Sequence, residues 1–195
     1  MSGKAKDLYG SAPDKHPTAL LIIDMINDMQ FPEADLLLRF AVPMAKRIKA
    51  LSDRARKAGV PIIYVNDNFG RWRSDFKALV KHCLQSRGKV LARLLKPKAN
   101  DYFVLKPKHS AFHSTTLDLL LKHLGTRRLI LTGVASNICV LFTANDGYMR
   151  NFKLFIPHDC VCANTTAEND YALEQMKKIL KADIRAASEI KLKEK

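Results

Sequence analysis

Residues 18–23 read Thr-Ala-Leu-Leu-Ile-Ile, and Asp24 follows them directly. The apolar residues of this run do not alternate with polar ones, which indicates a strand buried on both faces of a sheet. A similar run, Val60–Val65, comes after residues 41–58, where apolar side chains recur at helical spacing until Gly59. A strand, a helix and a second strand in this order are typical of a βαβ unit with parallel strands.

The same alternation continues along the rest of the chain. Further strands are predicted at Asp101–Leu105, Arg128–Thr132, Lys153–Ile156 and, weakly, Asp183–Ala187, and further helices at residues 75–87, 90–95, 115–123, 138–150 and 167–180. We therefore predict an α/β fold with three layers: a doubly wound, mostly parallel six-stranded sheet with helices on both faces. Residues 1–16 are predicted to be a loose tail, and residues 17–195 a single domain.

Length and composition exclude several classes of protein. The chain has 195 residues, of which 47% are apolar and 27% charged, which fits one globular domain with a full core. No apolar run exceeds about five residues, whereas a transmembrane helix needs about 20. The N-terminal residues lack the apolar core of a secretory signal. We therefore expect a cytoplasmic protein whose four cysteines are reduced thiols, with no membrane partner.

The chain is strongly basic, with a formal net charge of +14. Much of this charge lies in residues 71–108, which contain eleven lysines and arginines but two acidic residues. Such a field favours anionic ligands. The segment could be a lid, a funnel for substrate or simply a solvated face. We do not expect nucleic-acid binding, because its aromatic residues are scattered and no nucleic-acid-binding motif is present.

Polar residues follow several of the predicted strands, and ligands of open α/β sheets bind at these carboxyl ends. Asp24 closes the first strand, Lys106 the third, and Cys139 lies just after the fourth. A cysteine near a helix N-terminus is favoured as a thiolate, an aspartate can exchange a proton, and an ammonium can lower the pKa of both neighbours. Taken singly, each residue also has a structural interpretation, as a turn residue, an exposed lysine or a packed thiol.

Four segments resemble, in order, the motifs of the isochorismatase-like cysteine hydrolases. They are residues 19–29 (ALLIIDMINDM), 106–112 (KPKHSAF), 132–140 (TGVASNICV) and 156–161 (IPHDCV). The third segment, which holds Cys139, is the most specific of them. The resemblance extends over roughly residues 18–188, which is nearly the whole chain.

The resemblance implies a catalytic triad of Asp24, Lys106 and Cys139. Cys139 would attack a carbonyl carbon, usually of an amide, while Asp24 would accept the thiol proton and pass it to the leaving amine. Lys106 would support the thiolate and orient Asp24. A cis peptide bond at Val134–Ala135 is also implied, which would direct the Ala135 amide, beside that of Cys139, towards the oxyanion. Family members are commonly oligomers, so the resemblance implies a homo-oligomer too.

Departures from the family pattern bear on ligands. Nicotinamidases of this superfamily bind a metal through an aspartate and histidines, whereas this chain has no histidine between His16 and His82. We therefore predict no metal and no other cofactor. Asp67, Trp72 and His109 are candidate substrate contacts, each with an alternative as an ordinary turn, surface or loop residue.

The most favoured function is a metal-independent cysteine hydrolase that cleaves a small, anionic amide or ureido compound through a thioester on Cys139. One alternative is hydrolysis of a vinyl ether of the isochorismatase type, in which Asp24 does the acid chemistry and Cys139 is dispensable. Another is a basic binding protein that keeps the fold without catalysis.

Overall fold

The computed structural model describes residues 15–70 and 75–192. Within these ranges the chain forms six strands and six α-helices. The strands are β1 (Thr18–Ile23), β2 (Ile62–Asp67), β3 (Tyr102–Lys106), β4 (Arg128–Val134), β5 (Lys153–Phe155) and β6 (Val161–Cys162). The helices are α1 (Ala34–Lys57), α2 (Phe76–Cys83), α3 (Lys89–Leu94), α4 (Leu117–Leu124), α5 (Leu141–Met149) and α6 (Thr166–Ile179).

All strand pairs are parallel, and the sheet order is β3-β2-β1-β4-β5, with β6 paired to the end of β4. The chain moves outward from β1 to β2 and β3, then returns to place β4 on the other side of β1. The register aligns Ile23 of β1 with Gly133 of β4. This reversal between β1 and β4 is the point where open α/β sheets form their ligand crevice.

Two hydrophobic cores cover the two faces of the sheet. Leu20 and Ile22 of β1 belong to the core that packs on α1, α2 and α3. Leu21 and Ile23 belong to the core beneath α4, α5 and α6. Successive residues of β1 therefore point into opposite cores, which explains why its sequence is apolar throughout. The predicted three-layer α/β fold is confirmed.

The sixth strand is not where the sequence predicted it. Asp183 makes a single parallel bridge to Phe155, and no strand spans 183–187. The Asp183 side chain instead accepts hydrogen bonds from the backbone and guanidinium of Arg185, which bends the chain. The sixth strand is Val161–Cys162, which reaches β4 after the chain turns at Pro157.

Two helices differ from their predicted bounds. Helix α1 begins at Ala34 rather than at Ala41, and Pro43 lies inside it. Burial of Ala34, Leu37 and Ala41 along one helical face outweighs the hydrogen bond that Pro43 cannot donate. The predicted helix from Ile138 is instead a π-helical turn, Ser136–Val140, which leads into α5.

Residues 1–14 of the predicted tail and Trp72 lie outside the described residues. His16 is tied to the fold, since its amide donates to the Leu124 carbonyl oxygen and its own carbonyl accepts from Thr126. No helix within 15–70 and 75–192 combines the length and apolar character needed to span a bilayer.

Candidate active site

Asp24 directly follows β1, and its backbone has a left-handed conformation with φ of 52°. Aspartate tolerates this conformation better than most residues. The Asp24 amide donates to the Val65 carbonyl oxygen at 2.8 Å, and the side-chain Oδ1 accepts from the Asp67 amide at 2.8 Å. The side chain is buried and is held at the carboxyl end of β1 by the neighbouring strand β2.

Lys106 is the last residue of β3, and its side chain is completely buried. Its Nζ lies 2.8 Å from Asp24 Oδ2 and donates to Cys139 Sγ at 3.5 Å. A buried ammonium is stable only when it is paired and hydrogen-bonded. The ammonium therefore joins the carboxylate after β1 to the thiol after β4.

Cys139 lies in the π-helical turn that directly follows β4, and its side chain is half-buried. Besides Lys106, its thiol is within hydrogen-bonding reach of the Asp24 carboxyl group. The three side chains come from residues 24, 106 and 139, yet they form one contact cluster. The fold thus brings together the three residues that the sequence predicted as a triad.

Burial dominates the protonation of this cluster. It raises the pKa of Asp24 above its ordinary value, although the Lys106 ammonium opposes the shift. Burial also raises the pKa of Cys139 to about 12, and the Asp24 carboxylate adds to this effect while Lys106 counteracts it. The burial of Lys106 works against its charge, but attraction to Asp24 and Cys139 outweighs burial and raises its pKa.

The sequence pattern favoured a thiolate at Cys139, whereas burial raises the pKa of its thiol to about 12. The turn around Cys139 is a short π-helical segment rather than the first turn of an α-helix, and the adjacent carboxylate disfavours a second negative charge. The resting site holds a protonated thiol next to a group that can accept its proton.

Two hydrogen bonds of a threonine that the sequence analysis missed hold the turn at Ser136–Val140, which bears Cys139, in place. Thr143 Oγ1 donates to the Cys139 carbonyl oxygen at 2.7 Å and accepts from the Ala111 amide at 3.0 Å. Ser110, next to Ala111, donates to the Asp146 carboxylate on α5. The spacing of four residues between Cys139 and Thr143 is the only sign of this role in the sequence.

The remaining predicted site residues have different positions. His109 Nδ1 lies 4.0 Å from Cys139 Sγ. Asp67 contributes its amide to Asp24, whereas its carboxylate accepts from the Phe69 amide in the turn after β2. Ala135 is half-buried and follows a cis peptide bond at Val134–Ala135, as the resemblance implied. An oxyanion-binding role for the Ala135 and Cys139 amides remains a prediction.

The donor set does not fit a metal ion of the nicotinamidase type. Asp67 is followed by asparagine, and the described part of the chain contains no group of three His, Cys, Asp or Glu side chains that could ligate one ion. No chemical step is therefore derived through a metal.

Comparison with known proteins identifies the family of this chain. The family model of the isochorismatase domain matches residues 18–188. The isochorismatase family protein YaaI of Bacillus subtilis is 43% identical, over 90% of this chain and 97% of its own length. This chain belongs to the isochorismatase family. The family predicted from the four motifs is confirmed.

Relatives with a described activity or structure include amidohydrolases. The ureidoacrylate amidohydrolase RutB of Caulobacter vibrioides is 30% identical, over 71% of this chain and 74% of its own length. The nicotinamidase SaPncA of Staphylococcus aureus, a solved structure, has 25% identity and a TM-score of 0.68, and the alignment covers 87% of this chain and 98% of that protein. The protein is thus an isochorismatase-family hydrolase with amidohydrolase relatives.

Proposed function

We propose that this protein is a cysteine amidohydrolase that cleaves a small amide or ureido compound through a thioester on Cys139. The observation that carries the proposal is the placement of Lys106 Nζ, 2.8 Å from Asp24 Oδ2 and 3.5 Å from Cys139 Sγ. A nucleophile, a proton acceptor and a cation in mutual contact are the groups that covalent acyl transfer needs.

In the first half-reaction the Cys139 thiol gives its proton to Asp24 while Sγ forms a bond to the substrate carbonyl carbon. The carbon–nitrogen bond then breaks, and the leaving amine takes the proton back from Asp24. The raised pKa of Asp24 suits this role, because a carboxyl group that holds a proton transiently must be a stronger base than an exposed aspartate.

In the second half-reaction water attacks the thioester carbon and Asp24 accepts a proton from that water. The carbon–sulfur bond breaks, the acid is released, and Cys139 recovers its proton from Asp24. The amides of Ala135 and Cys139 would donate to the carbonyl oxygen as negative charge develops on it in both halves. Lys106 stays charged throughout and keeps the carboxylate and the sulfur within reach of each other.

The substrate we expect is anionic. The net charge of +14 favours anions in general, and RutB carries in its name a ureido compound that is also a carboxylic acid. Residues 71–108, which hold eleven of the 33 lysines and arginines, include α2 and α3 between β2 and β3, and they include Lys106. No metal, cofactor or nucleic acid is part of this proposal, and a cytoplasmic homo-oligomer remains the prediction of the sequence.

The test is ammonia release from a panel of primary amides, carbamoyl and ureido compounds, with and without a carboxylate. On any substrate that is cleaved, we expect Cys139→Ser and Asp24→Asn each to lower kcat/KM by about a thousandfold or more. Cys162→Ser is the matched control, since it changes a buried thiol outside the cluster and should retain turnover. Turnover that survives Cys139→Ser but not Asp24→Asn would contradict the thioester route and favour the vinyl-ether alternative.

A further inference from the structure

The buried partners of Cys139 are already hydrogen-bonded to one another and to the backbone. Asp24 Oδ2 is paired with Lys106 and Oδ1 accepts from the Asp67 amide. Lys106 is committed to Asp24 and Cys139 and is completely buried. Because Asp24 and Lys106 are buried and paired, residues on the exposed side of the sulfur are better placed to recognise groups beyond the reacting carbonyl.

His109 lies on that exposed side. Its Nδ1 is 4.0 Å from Cys139 Sγ, and its side chain is exposed. This separation is too long for a strong hydrogen bond, so the imidazole does not compete with Asp24 for the thiol proton. It is close enough that a group attached to the carbonyl carbon being attacked would meet the ring.

The position of the imidazole is fixed by two contacts. Its ring packs against that of Phe142 on α5, with centroids 5.4 Å apart and planes at 47°. The next residue, Ser110, donates to Asp146 on the same helix. The loop that bears His109 is thus attached to α5, the helix that follows Cys139, which places the imidazole beside the sulfur.

The direction of the reaction decides which part of the substrate meets His109. The leaving amine must be within reach of Asp24, because Asp24 returns the proton to it, and Asp24 lies on the buried side of the sulfur. The acyl substituent, which stays on Cys139 in the thioester, therefore extends towards the exposed side. An imidazole offers one donor and one acceptor there, or two donors when protonated.

Building on the proposed function, we propose that His109 is a specificity-determining residue that hydrogen-bonds a polar atom on the acyl substituent of the substrate. The substrates selected in this way are amides or ureido compounds whose acyl part carries a carboxylate, carbonyl or N–H group. Simple alkyl amides lack the partner and are cleaved without help from His109.

The experiment compares two primary amides that differ at the end of the acyl chain, succinamate with its carboxylate and butyramide with its methyl group. His109→Phe keeps a ring against Phe142 but has no hydrogen-bonding atom. We expect it to lower kcat/KM for succinamate by about tenfold or more and to leave butyramide unchanged. His109→Asn places an amide near the position of Nδ1 and should restore part of the preference.

The matched control is His113→Phe, which changes an exposed histidine of the same loop and should leave the ratio of the two substrates at the wild-type value. Equal losses on both amides in His109→Phe would overturn the proposal and assign His109 a structural role. If the wild-type protein releases no ammonia from any amide of the panel, the proposed function fails instead. The rate of Cys139 alkylation by iodoacetamide, unchanged in His109→Phe, separates a specificity effect from damage to the nucleophile.

Discussion

Three influences act on the thiol of Cys139, and two of them have the same direction. Burial raises its pKa, the Asp24 carboxylate raises it further, and the Lys106 ammonium lowers it. The net result is a thiol whose pKa lies well above its ordinary value. The sequence shows an aspartate, a lysine and a cysteine at these positions. The pKa of the thiol depends on how deeply it is buried, and the sequence around Cys139 does not reveal that.

Alkylation as a function of pH tests this state of Cys139. Because its pKa is about 12, the rate with iodoacetamide should rise about tenfold for each pH unit from 7 to 10 without levelling off. Cys83, Cys160 and Cys162 are buried, so labelling should be confined to Cys139 and absent from Cys139→Ser. Mass spectrometry of peptides from protein labelled at each pH gives the rates. A plateau below pH 8 would contradict the protonated resting thiol.

At the scale of elements, the junction between β4 and the turn that bears Cys139 depends on a close approach of β4 to β1. Gly133 pairs with Ile23 of β1 and has φ of 111°, a conformation that side chains rarely adopt. A Cβ built on Gly133 would overlap the backbone carbonyl oxygen of Ile23. The end of β4 therefore lies directly against the end of β1, and this contact sets the separation of Cys139 from Asp24.

Replacing Gly133 by alanine should separate these two strand ends. We expect Gly133→Ala to lower the free energy of unfolding by roughly 3 kcal/mol, the combined cost of overpacking and of an unfavourable φ. Gly125→Ala is the matched control: Gly125 also has a positive φ, of 69°, but a Cβ there meets no atom within 4 Å. Its cost should be about 1 kcal/mol. Urea unfolding measures both, and equal losses would show that crowding by Ile23 contributes nothing.

The whole molecule is two apolar cores separated by one sheet, and three of its four thiols are buried in the core on the α1–α3 side. Burial raises the pKa of Cys83 to about 11 and that of Cys162 to about 12, and it raises the pKa of Cys160 as well. A group whose pKa is higher in the folded state stabilises the fold at low pH. Its contribution is complete below the pKa of the unfolded chain and is lost as the pH rises.

Cys83→Ala isolates this effect from the titration of the many lysines. Between pH 9 and pH 11 the free energy of unfolding of the wild-type protein should fall by about 2 kcal/mol more than that of the variant. The reason is that the Cys83 thiol loses its proton in the unfolded chain but keeps it in the folded protein over this range. Urea unfolding of both proteins at several pH values in this range gives the difference. A difference that does not change with pH would show that the Cys83 thiol titrates alike in the folded and unfolded chains.

Some features were readable along the chain because they depend on neighbours in sequence. The apolar run of β1 specified a strand with both faces covered, and the alternation of strands and helices specified a parallel sheet. Four motifs indicated the family, and the resemblance to that family implied the cis bond at Val134–Ala135. Predictions failed where a local side chain competes with a regular element, as Asp183 does by bonding Arg185. They also failed where a helix begins before the apolar pattern used to predict it, as α1 does at Ala34 rather than Ala41.

The sequence by itself determined the α/β fold and placed Asp24, Lys106 and Cys139 at or just after the ends of strands, since strand patterns and motifs are properties of contiguous residues. Only the tertiary structure decided three other features. Burial raises the pKa of the Cys139 thiol, Thr143 holds the turn that bears Cys139, and His109 lies beside the sulfur. These features arise from distances and burial between segments that are far apart along the chain. Electrostatic energies depend on the distances between charges and on their burial, and no single stretch of sequence contains either quantity.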